Sequence, residues 1–75
     1  MSNENSILPL LEEATQAAPE SIALQQALPD LEGWDSMGMV MFIGLVKMRR
    51  GVELTVHQLR DCAAVEDLQR LVDAP

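Results

Sequence analysis

Apolar residues recur at helical spacing along this chain, and no stretch shows the strict alternation of a half-buried strand. Ile7, Leu8, Leu11, Ala14 and Ala18 set the first pattern and predict a helix over 6–17. Ser6 is its candidate N-cap, Pro9 sits in the first turn, where a missing N–H costs nothing, and Pro19 stops it. The densest apolar run follows Trp34 and predicts a helix from Ser36 or Met37 to Arg50, capped by Asp35 or Ser36. Lys47, Arg49 and Arg50 crowd its last turn, where cations suit the helix dipole, and Gly51 is the expected left-handed terminator. Val52-Glu53-Leu54 then reads as a short extended link. Thr55 caps a short helix over 55–62, with Val56 and Leu59 inward. Val65, Leu68, Leu71 and Val72 form the apolar face of a last helix, from Ala64 or Val65 to Val72.

Between the first two helices lies a long connection, 19–34. Ile22, Leu24, Leu28 and Leu31 anchor it, Pro29 and Gly33 break it, and one helical turn is predicted over 21–27. A connection of this length in a small domain is often functional. The pattern as a whole predicts an all-α fold, a small four-helix bundle with a long loop between its first and second helices.

The helix after Trp34 differs from an ordinary amphipathic one, which carries a single apolar stripe. Nine of the twelve residues over 37–48 are apolar. At about 100° per residue they fall on two sides. Met39, Phe42, Ile43 and Val46 share one face, and their bulk and branching suit the core. Met37, Met41 and Met48 lie within about 40° of one another on a different face, with Gly44 leaving that face low in its middle. Methionine is flexible and over-used on surfaces that accept several partners, but it also fills gaps in cores. Both readings stand at this point: a docking stripe beside Ser36, or core filling, to which Met48 taken alone is the better suited.

The chain has 75 residues, which allows a single domain, 1–75, with a core over about 6–73. So short a chain buries a thin core. No disulfide can help, because Cys62 is the only cysteine, and a lone thiol fits a reducing cytosol. One Cys and one His cannot assemble a metal site unless carboxylates complete it. The formal net charge of -7 is unevenly placed. No Lys or Arg precedes Lys47, whereas Glu4, Glu12, Glu13, Glu20, Asp30, Glu32 and Asp35 do; from Lys47 onward five bases meet five acids. A phosphate backbone would be repelled, so nucleic acid is not an expected partner. A basic partner surface would be attracted, chiefly through faster encounter. The first residues do not read as a secretory signal, and the apolar run over 37–48 is about half the roughly 20 residues a spanning helix needs. A cytoplasmic monomer with no membrane partner is expected, and the closeness of Met1 to the first helix suits a free-standing protein.

The chemistry is concentrated in Gly33-Trp34-Asp35-Ser36-Met37-Gly38, which puts one hydroxyl at the head of a helix beside an acid. Taken alone, Asp-Ser before a helix is most often a cap. Asp35-Ser36-Met37 resembles the Asp-Ser-Leu motif of acyl and peptidyl carrier proteins. The order of a first helix, a long connection, the motif, a helix ended by Gly51, Val52-Glu53-Leu54 and two short helices is similar to theirs over about 7–72. The resemblance implies the acyl-carrier bundle. It implies that a phosphopantetheinyl transferase, using coenzyme A and magnesium, attaches 4'-phosphopantetheine to Ser36. The arm would hold an acyl or aminoacyl group as a thioester, placed there by a loading enzyme and consumed by downstream synthases. The chain itself would not be an enzyme, since the chemistry lies in the arm and the partners. A phosphodiester there would face free N–H groups and the positive end of the dipole. Asp35, Met37, Met41, Met48 and Trp34 are the candidate partner-recognition residues, with Asp35 also able to cap and Trp34 most simply a packing residue that sets the loop.

This chain departs from the family pattern twice. Fatty-acid carriers usually show acids on the helix after the serine, whereas here the comparable surface carries Met41 and Met48, with Lys47, Arg49 and Arg50 nearby. That favours a dedicated polyketide, nonribosomal peptide or related pathway over primary fatty-acid synthesis. The residue before the glycine is Arg50 rather than an aromatic, so its stem is expected to pack while its head reaches water. His57, Cys62 and the Glu66-Asp67 pair form no nucleophile–base set; the helix dipole accounts for the two acids. The competing reading is an unmodified helical interaction module that docks partners through the Met-rich face.

Overall fold

The computed structural model describes residues 6–73 and contains four α-helices, Leu8–Thr15 (α1), Ser36–Arg50 (α2), Val56–Arg60 (α3) and Val65–Asp73 (α4), with a 3-10 turn at Leu28–Asp30. Glu4 and Met1 lie outside the described residues. No strand occurs among them; the only extended pairing is an isolated antiparallel bridge between Ala27 and Ala64. One core joins the elements. Ile7 and Leu11 on the α1 side meet Phe42 and Val46 of α2 and Val65 and Leu68 of α4, all fully buried. Each such side chain contributes about 1.5–3 kcal/mol by leaving water.

The ends of α2 follow from local chemistry. Asp35 has extended backbone and its Oδ1 accepts from the Gly38 N–H at 2.9 Å. Gly51 ends the helix at φ 70°, donating its N–H to the Lys47 carbonyl. Thr55 caps α3 as expected, and Gln58 completes a reciprocal capping box, its Oε1 accepting from the Thr55 N–H at 2.9 Å. That helix ends at Arg60, earlier than the expected 62.

Several expectations are corrected. Ile7, not Ser6, is the N-cap residue of α1, with no side-chain capping bond of its own; Ser6 Oγ accepts from the Leu8 N–H at 3.2 Å. The Ile7 N–H donates instead to Gln69 Oε1 of α4, 62 residues away. The helix stops at Thr15 rather than 17 because Gln16 turns left-handed, φ 60°, and its N–H returns to the Glu12 and Glu13 carbonyls. The helical turn expected over 21–27 is absent. The carbonyls of Leu24 and Gln26 instead accept the Glu66 and Val65 N–H groups at the start of α4, and Leu28 donates to Ala63. The connection is thus stitched to the α3–α4 corner, and its one helical turn forms later, at Leu28–Asp30. Asp67 does more there than offset a dipole: its Oδ2 accepts from the Ala63 and Ala64 N–H groups at 3.0 and 3.1 Å. The Arg50 side chain is mostly covered and its head pairs with Asp73 at 3.2 Å, tying α2 to the end of α4.

The core face of α2 is also rotated. Gly38, Phe42, Leu45 and Val46 are buried, while Met39 and Ile43 are only partly so. The buried stripe is displaced by about 65° from the one centred on Met39, Phe42, Ile43 and Val46. The rotation leaves Val40 exposed beside the methionines.

Candidate functional site

Two glycines set the approach to Ser36. Gly33 has φ 85°, and a Cβ there would lie 2.7 Å from the Thr15 carbonyl oxygen. Gly38, in the first turn of α2, has no room for a Cβ because the Gly33 carbonyl oxygen occupies that space. The loop therefore wedges between the end of α1 and the first turn of α2, a close backbone approach that only glycine permits. Trp34 is half-buried next to this wedge. Its ring meets Phe42 edge-on, with centroids 5.7 Å apart and planes at 74°, which links the loop to the core.

This construction divides the labour between neighbours. Asp35 performs the capping through Gly38, so Ser36 is not needed as a cap. Ser36 is the first residue of α2, is exposed, and its Oγ has no hydrogen-bond partner among the described residues. The space beside it is open, since Met37 is 80% exposed. A phosphodiester on this oxygen would meet no steric barrier and would sit where first-turn N–H groups lack intrahelical acceptors. The residues present fit such a group.

An open apolar groove of about 860 Å³ begins at Ser36 and runs down α2 past Met37, Val40, Met41 and Gly44 to Met48. Met48 is 74% exposed and Met41 51%, so neither fills the core, and the expectation for Met48 taken alone is corrected. Gly44 forms the low point: a Cβ there would touch nothing within 4 Å. Val40, 61% exposed, belongs to this surface and was not singled out by the methionine spacing. Its position about 60° from Met37 around the helix is the signal that would have found it.

The remaining candidates stand apart. Cys62 is partly buried, and burial first, then the nearby Asp67 and Asp61 carboxylates, push its thiol pKa up, so it stays protonated. His57 is exposed on α3. No group of His, Cys, Asp and Glu among the described residues could hold a metal ion, and no helix there is long and apolar enough to cross a membrane.

Four short helices, a long ordered connection and an exposed hydroxyl at the head of the second helix are the build of a carrier that presents a tethered group. The family model for the phosphopantetheine attachment site matches residues 5–72, and the chain belongs to that family. The fold is similar to the solution NMR structure of a holo acyl carrier protein from Geobacter metallireducens, with a TM-score of 0.73 over 97% of this chain and 84% of that one, at 19% identity. No curated protein matches the chain. The protein is thus a non-catalytic carrier with an acyl-carrier-like fold, its cofactor is covalently attached 4'-phosphopantetheine, and it works with partner enzymes such as the phosphopantetheinyl transferase that attaches it.

Proposed function

We propose that Ser36 is the attachment point, and that the arm carries an acyl or aminoacyl thioester between enzymes of a dedicated biosynthetic pathway in the cytoplasm rather than those of primary fatty-acid synthesis. The observation that carries the first part is the free, exposed Ser36 hydroxyl beside an Asp35 that already caps α2. A serine kept only as a cap would hold the Gly38 N–H itself. The pathway assignment is supported by the surface next to the serine. It presents Met37, Val40, Met41 and Met48 instead of a row of acids, so enzymes that read carboxylates would find none on this helix. The same exposed methionines support Met37, Met41 and Met48 as partner contacts.

Incubation with coenzyme A, magnesium and a broad-specificity phosphopantetheinyl transferase, followed by intact-mass measurement, tests the assignment. One phosphopantetheine is expected on the wild-type chain and none on Ser36→Ala. An unmodified wild-type chain would support the interaction-module reading instead.

A further inference from the structure

The exposed apolar surface of this chain is gathered beside its attachment residue. Among the described residues five large apolar side chains are exposed, and four of them, Met37, Val40, Met41 and Met48, line the groove on α2. The fifth, Leu24, lies in the connection. Apolar surface that is concentrated rather than scattered calls for an occupant. The groove opens at Ser36 and runs about 18 Å to Met48 at 1.5 Å per residue. Its low point is Gly44, where even a Cβ would touch nothing within 4 Å.

The lining says what fits. It is apolar apart from Ser36 and Lys47, and methionines re-pack around different apolar shapes. It holds no carboxylate, and Glu53 already pairs with Lys47 at 3.1 Å, so the ammonium of an aminoacyl group gains nothing there. The inward side of α2 is occupied: Phe42 and Val46 are fully buried with Val65 and Leu68 in a close-packed core. A second copy would have to be held by one face of a 15-residue helix. That face is roughly 22 Å by 10 Å, or about 220 Å², well short of the roughly 800 Å² per partner in a stable interface.

A ligand tethered at Ser36 escapes that size limit. A short flexible tether supplies an effective concentration of about a millimolar. A methylene fully removed from water strengthens binding about fourfold, and one covered on a single side, as in an open groove, about twofold. About ten such methylenes give about a thousandfold, which brings the contact into the millimolar range that the tether fills. We infer that the groove is the resting place of the cargo: an apolar acyl chain of about ten carbons or more, carried on the arm of the same molecule, lies on Met37, Val40, Met41 and Met48 instead of entering the bundle. This rests on Ser36 as the attachment point, and it selects acyl over aminoacyl cargo.

Dodecanoyl and hexanoyl groups test this, each joined to the arm by an amide in place of the labile thioester. They are loaded from the matching coenzyme A analogues by a broad-specificity transferase, and intact mass establishes one arm per chain. The methyl-labelled full chain is then observed by NMR. Dodecanoyl is expected to shift the methyls of Met37, Met41 and Met48 at least about tenfold more than hexanoyl, leaving Val65 and Leu68 unchanged. With Met41→Gln and Met48→Gln together, the shift at Met37 should fall severalfold at an unchanged melting temperature, because both replaced side chains are exposed. An unmodified mass would overturn the attachment reading but not the groove, which decanoyl pantetheine added free to Ser36→Ala tests separately; weak shifts of the same three methyls are expected. Dodecanoyl contacts to Val65 or Leu68 would place the cargo inside the bundle. Shifts that grow with protein concentration would place it between two copies, and equal shifts for both chain lengths would leave it in water. Any of these, or no shift by the free ligand, would overturn the inference.

Discussion

Two surface pockets of this carrier invite opposite readings. The corner between α3 and α4, about 380 Å³, is lined by Gln58, Asp61, Cys62, Asp67, Arg70 and Leu71, and so gathers a thiol, two carboxylates and a guanidinium. The groove on α2 is larger and offers only Ser36 and Lys47 as polar groups. Yet the thiol, Asp67 and Arg70 of the corner are already engaged. Asp67 accepts from two backbone N–H groups and from Arg70 at 2.8 Å, and the Cys62 thiol is held protonated while its Sγ lies 3.5 Å from the Gln58 carbonyl oxygen. In the groove, the one hydroxyl has nothing to do for the fold. Reactive residue types that are satisfied by the backbone hold a structure together. A single group left free by its neighbour is the one that can accept a new bond.

The sharpest way to break this comparison is to remove each candidate nucleophile in turn. Ser36→Ala is expected to abolish phosphopantetheinylation completely, by intact mass, with no loss of helicity. Cys62→Ala is expected to leave the extent of modification as in the wild-type chain. Modification that survives Ser36→Ala, or that disappears with Cys62→Ala while the fold persists, would transfer the role to the corner.

The next largest effect separates two glycines of the same helix. Gly38→Ala forces a Cβ onto the Gly33 carbonyl oxygen, a backbone atom that cannot swing aside. Overpacking of this kind costs about 1–3 kcal/mol, which outweighs the gain of up to about 1 kcal/mol from replacing glycine inside a helix. The loop should shift, and modification of Ser36 should slow with it. Gly44→Ala meets no atom within 4 Å, so the propensity gain stands alone and the melting temperature should rise. Denaturant titration of both variants checks the pair: equal effects of the two substitutions would mean that the loop is not wedged against α2.

What the sequence revealed of this architecture was local. Gly51 as a terminator and Thr55 before α3 were legible because a cap is set by residues within one turn of it. The free hydroxyl was half-legible: Asp35 and Ser36 were equal candidates for capping α2, and only the Asp35–Gly38 bond decides between them. Contacts between distant segments were not legible. Nothing in the spacing of Gln69 shows that it completes the head of α1, or that Leu24 and Gln26 serve as acceptors for the first turn of α4. The orientation of α2 was missed for the same reason. Periodicity gives the width of an apolar surface, but Leu45 and Gly38 face inward because of where α1 and the Gly33 loop press on the helix.

A smaller test concerns the stitching of the long connection to α4. Asp67 is held below the ordinary carboxylate range by the Ala63 and Ala64 N–H groups, against a smaller opposing effect of burial, with Arg70 adding the least. A carboxylate whose folded pKa lies below its unfolded value contributes stability that is fully present above the unfolded value, about 4. That contribution is lost as pH falls through the lower folded value. Asp67→Asn keeps an acceptor for the two N–H groups but has no charge to titrate. The variant should therefore be slightly less stable than the wild-type chain at neutral pH, and the gap should close as pH is lowered past the carboxylate range. Thermal melts of both proteins from pH 7 down to the acid limit of folding measure this. A gap that stays constant with pH would show that the acceptor, not the charge, is what Asp67 supplies. The α3–α4 corner that receives the connection leading to Ser36 would then be held by the hydrogen bonds Asp67 accepts, independently of its charge.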